Sequence, residues 1–129
     1  MPFVIRDNRN DKIVGCTRYM NVDAVNKRLE IGSTWHAASA QRSGINREAK
    51  LLLLAHAFET LQCIAVEFRT HWMNHQSRTA IAALGAKQDG ILRNHQRLPD
   101  GSLRDTVVFS IIESEWLAVK AHLQYKLAR

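Results

Sequence analysis

Cysteine, proline and long apolar runs are all scarce in this sequence. Its two cysteines, Cys16 and Cys63, are too few for a disulfide framework and lack partners at zinc-ligand spacing. They are therefore predicted to be small buried residues in a reducing compartment. No apolar stretch reaches the roughly 18 residues that a membrane span needs, and the first residues lack the pattern of a signal peptide. These absences exclude a cysteine-based zinc site and predict a cytoplasmic chain without a membrane segment.

What is present is an ordinary globular composition with a surplus of positive charge. Hydrophobic residues make up 46% and charged residues 23% of the 129 positions, which argues against a disordered or fibrous chain. The length predicts a single domain over residues 1–129. The formal net charge of +6 suits an anionic partner, such as nucleic acid or a phosphate-rich cofactor. Solubility alone explains the same surplus equally well.

The order of the predicted elements indicates a mixed α/β fold. Two extended runs around a polar turn at 6–11 predict a hairpin, and a third strand is predicted at 29–35. Apolar residues at helical spacing predict a helix over about 45–61, followed by a strand at 63–69. A strand, a helix and a strand in succession form a βαβ unit, whose two strands are expected to be parallel neighbours.

The second half of the sequence adds a helix, a hairpin and a terminal helix. Asn74 is predicted to cap a helix that Gly85 ends. Strands are predicted at 90–93 and 106–111, on either side of a Pro-Asp-Gly turn. The apolar spacing of the tail predicts an amphipathic helix with Ser114 as its cap.

The segment between the third strand and the longest helix carries the clearest functional signal. Gly44 lies just ahead of the helix, where free backbone N–H groups and the helix dipole favour an anion, and Arg42 and Arg47 add positive charge. The segment matches neither a Walker loop nor a GxGxxG fingerprint. Taken by itself, a glycine before a helix is more often a simple turn.

Four landmarks in a fixed order give this segment a context. They are Glu30-Ile31-Gly32 on a strand, the loop with Gln41, Gly44 and Asn46, the Asn74-x-x-Ser77 helix start and the Leu84-Gly85-Ala86 helix exit. With these landmarks the chain resembles the GNAT superfamily of acyl-CoA N-acetyltransferases from about residue 3 to 116. Within it, the chain looks most like the branch of ribosomal-protein N-terminal (alanine or serine) acetyltransferases. Asn46 departs from the family pattern, which has a small residue there.

The resemblance implies the GNAT-like acyl-CoA N-acyltransferase fold, a mostly antiparallel mixed sheet with one β-α-β crossover. It also implies acetyl-CoA as co-substrate. The pantetheine arm would lie where the strand holding Trp35 splays from the strand ending near Thr70, and backbone amides ahead of the long helix would hold the pyrophosphate. The residues implied to contact CoA are Trp35, His36, Gln41, Arg42, Ser43, Gly44, Ile45, Asn46, Asn74 and Ser77.

Two side chains are candidates for the chemistry that the resemblance implies. Family members often carry a carboxylate on the strand of Glu30, so Glu30 is implied as the general base, directly or through water. Ser77 is implied as the proton donor to the leaving thiolate. Each has an ordinary alternative, Glu30 as a solvent-facing strand residue and Ser77 as a partner for backbone groups at the helix start. The oxyanion donor would be a backbone N–H near Trp35 or His36.

Other functions find less support in the residues. His71 and His75 lie four positions apart but have no third ligand beside them, so no metal site is predicted. Binding of single-stranded nucleic acid calls for several aromatic residues interleaved with basic ones. Nucleic acid is therefore not expected as a partner, because that hypothesis depends on net charge alone.

The family normally begins with a strand and two helices ahead of the hairpin that opens this sequence. The resemblance thus implies a GNAT fold that lacks its first strand and first two helices. Three explanations are open: a misassigned start, a natural short form, or a partner chain that completes the site. An exposed strand at 3–7 invites pairing with another chain, so a homodimer or larger oligomer is expected. Two functions follow: an acetyl-CoA-dependent N-acetyltransferase acting on the primary amine of a protein N-terminus or small molecule, or an inactive CoA-binding module with a regulatory or interaction role.

Overall fold

The computed structural model of the chain describes residues 2–7, 12–36 and 45–128, and these form six strands and three α-helices. The strands are β1 (Pro2–Asp7), β2 (Lys12–Asp23), β3 (Arg28–His36), β4 (Ala65–His71), β5 (Lys87–Arg97) and β6 (Leu103–Ile112). The α-helices are α1 (Ile45–Ala55), α2 (His75–Ala83) and α3 (Trp116–Leu127). None of the described helices is long and apolar enough to cross a membrane.

All six strands join in one sheet with the order β1-β2-β3-β4-β6-β5. Neighbouring strands are antiparallel except β3 and β4, which are parallel because α1 crosses over between them. The predicted βαβ unit and the two hairpins are therefore confirmed. The strands of both hairpins are longer than predicted, and β2 continues through the polar residues 21–23.

Alternation along the strands gives the sheet two different faces. One face is apolar and forms the core with residues of all three helices. Its buried members include Leu29, Ile31, Val66, Phe68, Phe109 and Ile111 of the sheet and Leu54, Ile81 and Leu123 of the helices. Because successive side chains of a strand point to opposite sides, Glu30, Glu67 and Arg69 belong to the other face. This second face carries the polar groups of interest.

Helix α1 continues beyond Ala55 as a π-helical turn (His56–Thr60). The Tyr19 hydroxyl donates a hydrogen bond to the Leu53 carbonyl close to this change in winding. Within the turn, Oε2 of Glu59 accepts hydrogen bonds from Trp116 Nε1 at 2.9 Å and Lys120 Nζ at 2.8 Å, which ties the turn to α3. The helix predicted over 45–61 is confirmed in extent, with wider winding in its last part.

Three local predictions are confirmed and two are wrong. Asn74 is the N-cap of α2, and Gly85 ends the helix at φ 101°, where an added Cβ would also lie 3.1 Å from Val119 Cγ2. Ser114 does not cap α3, because it lies in a 3₁₀ turn whose Glu115 carboxylate instead accepts a hydrogen bond from the Ile112 N–H at 3.2 Å. Cys63 is buried as predicted, whereas Cys16 is exposed.

Lys50 of α1 makes the stability of the fold depend on pH. It is only 6% exposed, and burial lowers the pKa of its ammonium group from 10.5 to about 8. Between these two values the unfolded chain binds more protons than the folded chain, so the free energy of unfolding rises with pH. We expect this residue to contribute a rise of up to about 3 kcal/mol across the window. The measurement is urea unfolding of wild type and Lys50→Met at several pH values, and identical pH dependence of the two proteins would contradict it.

Candidate active site

Strands β3 and β4 separate after three paired positions. The pairs are Arg28 with Ala65, Leu29 with Val66 and Glu30 with Glu67. Beyond them β3 stays paired with β2 as far as His36, and β4 stays paired with β6 as far as His71. The two strands thus diverge into a cleft, here named the wedge, between residues 31–36 and 68–71. Backbone N–H and C=O groups that face the wedge have no strand partner across it, so an extended ligand can pair with them.

Two helices begin at the open end of the wedge. Because β3 and β4 are parallel, their C-terminal ends lie at the same edge of the sheet, and α1 and α2 follow these ends in the chain. A helix N-terminus has unpaired N–H groups and the positive end of the helix dipole. Arg47 in the first turn of α1 and Arg78 in that of α2 add positive charge. This end of the sheet therefore suits a ligand with anionic groups.

Glu30 lies at the closed end of the wedge, in the last pair before the strands separate. It is only 6% exposed, so the alternative of a solvent-facing strand residue is wrong. Asn21 Nδ2 donates a hydrogen bond to Glu30 Oε1 at 2.8 Å, and Arg69 Nε lies 4.0 Å from the same oxygen. The other oxygen, Oε2, lies on the side of Gly32, where an added Cβ would be 3.5 Å away. The carboxylate thus has one anchored oxygen and one oxygen on the side of Gly32, which lies on the β3 border of the wedge.

Three charged side chains lie around this carboxylate, the two arginines Arg28 and Arg69 and a second glutamate, Glu67. Glu67 is paired with Glu30 across the strands. Its Oε1 lies 3.5 Å from Arg69 Nη2, and its Oε2 lies 3.7 Å from Arg28 Nη2. Arg69 Nε itself is buried, and no residue that the structure describes makes a hydrogen bond to it. No motif or spacing in the sequence indicates Asn21, Arg28, Glu67 or Arg69. Strand pairing brings them to Glu30, and the register of that pairing is not visible in the sequence.

Asn74 and Ser77 lie together at the start of α2. The Asn74 side chain accepts a hydrogen bond from the Ser77 N–H at 3.0 Å, which satisfies one of the free donors of the first turn. The Ser77 hydroxyl makes no hydrogen bond within the described part of the chain, so it is not the partner for backbone groups that the alternative expected. The Arg78 guanidinium lies 3.9 Å from the centre of the Trp72 ring and closes one side of this helix start.

The remaining predicted CoA contacts are described only in part. Trp35 and His36 belong to β3, with backbone pairing to Cys16 and Gly15. Ile45 and Asn46 are the first two residues of α1. The loop residues Gln41, Arg42, Ser43 and Gly44 lie outside the described residues. The roles of all eight stay predictions.

The two histidines weighed as metal ligands make local contacts instead. His71 Nδ1 accepts a hydrogen bond from the Met73 N–H at 3.1 Å, and His75 Nδ1 lies 3.4 Å from Arg78 Nη1. Across residues 2–7, 12–36 and 45–128, no group of three or more metal-binding side chains comes together.

Comparisons with known proteins agree with this geometry. Residues 1–87 match the family model of the acetyltransferase (GNAT) domain, and no protein of curated function matches the chain. Among solved structures, a GCN5-related N-acetyltransferase from Brucella melitensis is 32% identical, with a TM-score of 0.93 over 97% of this chain and 56% of its own. A protein of T. thermophilus assigned as an acetyltransferase is 40% identical, with a TM-score of 0.83 over 90% of this chain and 61% of its own.

A more distant structure shares the fold. A variant of the spermidine N-acetyltransferase SpeG from Vibrio cholerae is 18% identical, with a TM-score of 0.80 over 90% of this chain and 67% of its own. Together these structures confirm the predicted fold, a mixed and mostly antiparallel open sheet with a β-α-β crossover. The chain spans between 56% and 61% of the length of the two more similar structures.

The Asn74 cap can be tested by its effect on stability. Replacing Asn74 by alanine removes the side-chain acceptor for the Ser77 N–H, and we expect a loss of about 1 kcal/mol in the free energy of unfolding. Asn74→Asp keeps an acceptor at the same position and is expected to retain wild-type stability. Urea unfolding of the three proteins measures both effects, and equal stability of Asn74→Ala and wild type would contradict the assignment.

Proposed function

Because the chain belongs to the GNAT acetyltransferase family, we propose that it transfers the acetyl group of acetyl-CoA to a primary amine. The observation that carries this proposal is the buried Glu30 carboxylate at the closed end of the wedge. A carboxylate with one oxygen anchored and the other turned to the cleft suits proton removal from a bound amine.

In the proposed reaction the neutral amine attacks the thioester carbonyl carbon. The C–N bond forms, the C–S bond breaks, and CoA leaves as a thiolate. Glu30 Oε2 accepts the proton that the amine loses, directly or through one water. The Ser77 hydroxyl, which is not engaged elsewhere in the described part of the chain, would hydrogen-bond the thiolate and supply its proton, which solvent then replaces. A backbone N–H near Trp35 or His36 would stabilise the oxyanion.

The proposed position of acetyl-CoA follows the same cleft. Backbone groups along the wedge would pair with the pantetheine arm, with Trp35, His36 and Asn74 beside it. The pyrophosphate would lie at the start of α1, against Gln41 and the backbone amides of residues 42–46. This placement is supported by the three-position limit of the β3–β4 pairing and by the helix that begins at Ile45.

The acceptor is proposed to be the amine of a protein N-terminus or a small molecule. The resemblance to the ribosomal-protein N-terminal acetyltransferases favours the first. The spermidine enzyme carries no argument for a polyamine, because at 18% identity it shows the fold alone. A cytoplasmic location is proposed on the two free cysteines, which suit a reducing compartment.

The proposal makes Glu30 essential for turnover. Glu30→Gln keeps the shape of the side chain and an acceptor for Asn21, and it removes the proton-accepting carboxylate. We expect kcat/KM to fall by roughly 10²- to 10⁴-fold, measured as thiol release from acetyl-CoA with a panel of N-terminal peptides and small amines. Calorimetric titration with CoA should give the same affinity for the variant and wild type.

Glu113→Gln is the matched control, because it makes the same chemical change at an exposed glutamate in the 3₁₀ turn after β6. Its turnover is expected to stay within a few-fold of wild type. Full turnover of Glu30→Gln would contradict the role of Glu30 as base. CoA binding by wild type without turnover on any amine would instead favour the inactive CoA-binding module.

We also propose that the chain forms a homodimer or larger assembly through β1. This strand pairs with β2 and forms one edge of the described sheet, and its Val4 is 63% exposed. Light scattering at increasing concentration is expected to show self-association that Val4→Lys weakens. Val25→Lys, which changes an exposed valine in the β2–β3 turn, should have no effect. A wild-type monomer at all concentrations would rule this assembly out.

A further inference from the structure

Strand β2 contains a β-bulge beside Glu30. Two residues of β2, Asn21 and Val22, face the single residue Leu29 of β3. Asn21 has a φ of 50°, in the left-handed region that few residues other than glycine adopt and that asparagine tolerates better than most. In a regular strand Asn21 would share the core face with Tyr19. The bulge turns its side chain to the face of Glu30.

The bulge brings an amide donor to the candidate base. Asn21 Nδ2 lies 2.8 Å from Glu30 Oε1, whereas the charged Arg69 Nε is 4.0 Å from that oxygen. Within the described part of the chain, this amide is the hydrogen-bond donor to the carboxylate. Left-handed asparagines and bulges often re-aim a side chain at a functional site.

We propose that Asn21 is a positioning residue for Glu30: its amide fixes Oε1, so that Oε2 stays directed at the wedge to accept the proton of the amine. This inference rests on the proposed role of Glu30 as base. Gly32 supports it, because the absence of a side chain there leaves space beside Oε2. A Cβ at Gly32 would lie 3.5 Å from that oxygen and 2.5 Å from Met20 Sδ.

The charged groups described around Glu30 do not hydrogen-bond its carboxylate, whereas the neutral amide of Asn21 does. On this face they are Arg18 of β2, Arg28 of β3, and Glu67 and Arg69 of β4. Arg28 and Arg69 pair with Glu67, and Arg18 is exposed opposite Gly32. Without the amide, no described hydrogen bond would fix the direction of the carboxylate.

Asn21→Gly separates this role from the backbone conformation. Glycine adopts a φ of 50° without strain, so the variant keeps the bulge and loses only the amide. We expect kcat to fall about tenfold, and to stay unchanged when the same substitution is made in Glu30→Gln, where no carboxylate remains to be positioned. The KM values for acetyl-CoA and the amine should stay within about twofold of wild type.

Asn94→Gly is the matched control. Asn94 also has a φ of 50° and lies where the β5–β6 register shifts, between Leu92 and Gln96. Its described hydrogen bond uses the backbone N–H, which glycine keeps. The variant therefore makes the same chemical change at another register shift, on a strand that does not neighbour β3, and its rate should match that of wild type.

The outcomes separate this inference from the proposed function. A wild-type rate for Asn21→Gly, or an equal loss of rate when it is added to Glu30→Gln, would overturn the positioning role while leaving transferase activity intact. If wild type transfers no acetyl group, the proposed function fails. The inference is then decided by crystal structures of the two variants. A Glu30 side chain that turns from its wild-type direction in Asn21→Gly but not in Asn94→Gly supports it, and an unchanged direction overturns it.

Discussion

The short parallel pairing between β3 and β4 is the constraint on which the rest of this structure depends. The β3-α1-β4 crossover forces the two strands to be parallel, yet each also continues an antiparallel ladder with another neighbour. Since only three positions pair, the strands must diverge beyond Glu30 and Glu67. Backbone groups on both sides of the wedge then need water or a ligand as partner. The same constraint therefore sets the topology of the sheet and creates its binding cleft.

One face of β3 packs in the apolar core, and the other face carries the candidate base. Leu29 and Ile31 are buried in the apolar core with the helices, and Glu30 between them points to the opposite face. Burial of these neighbours fixes the backbone on both sides of the carboxylate, as the precise placement of a proton acceptor requires. A one-residue slip of β3 would bury Glu30 in the core, so the hydrophobic pattern that specifies the register also specifies the site.

Local signals made much of the fold predictable. The Asn74 cap, the left-handed Gly85 and the apolar spacing of α1 each act over a few residues, and the structure has all three. Features that depend on distant partners were missed. Pairing with β3 extends β2 through the polar residues 21–23, and the Asn21–Glu30 contact exists only because of that pairing. For the same reason, resemblance to a family suggested Glu30, while nothing in the sequence indicated its neighbours.

The groups that surround the buried Glu30 carboxylate determine whether it can accept a proton. A carboxylate in a close bidentate pair with arginine is a poor proton acceptor, and a buried carboxylate without any partner would be costly. Here the nearest guanidinium nitrogen, Arg69 Nε, stays 4.0 Å away because Arg69 also pairs with Glu67, and the amide of Asn21 makes the hydrogen bond. A neutral donor satisfies one oxygen without occupying the other. This contact explains the left-handed backbone at Asn21, because a regular strand would direct the Asn21 side chain to the core face, away from Glu30.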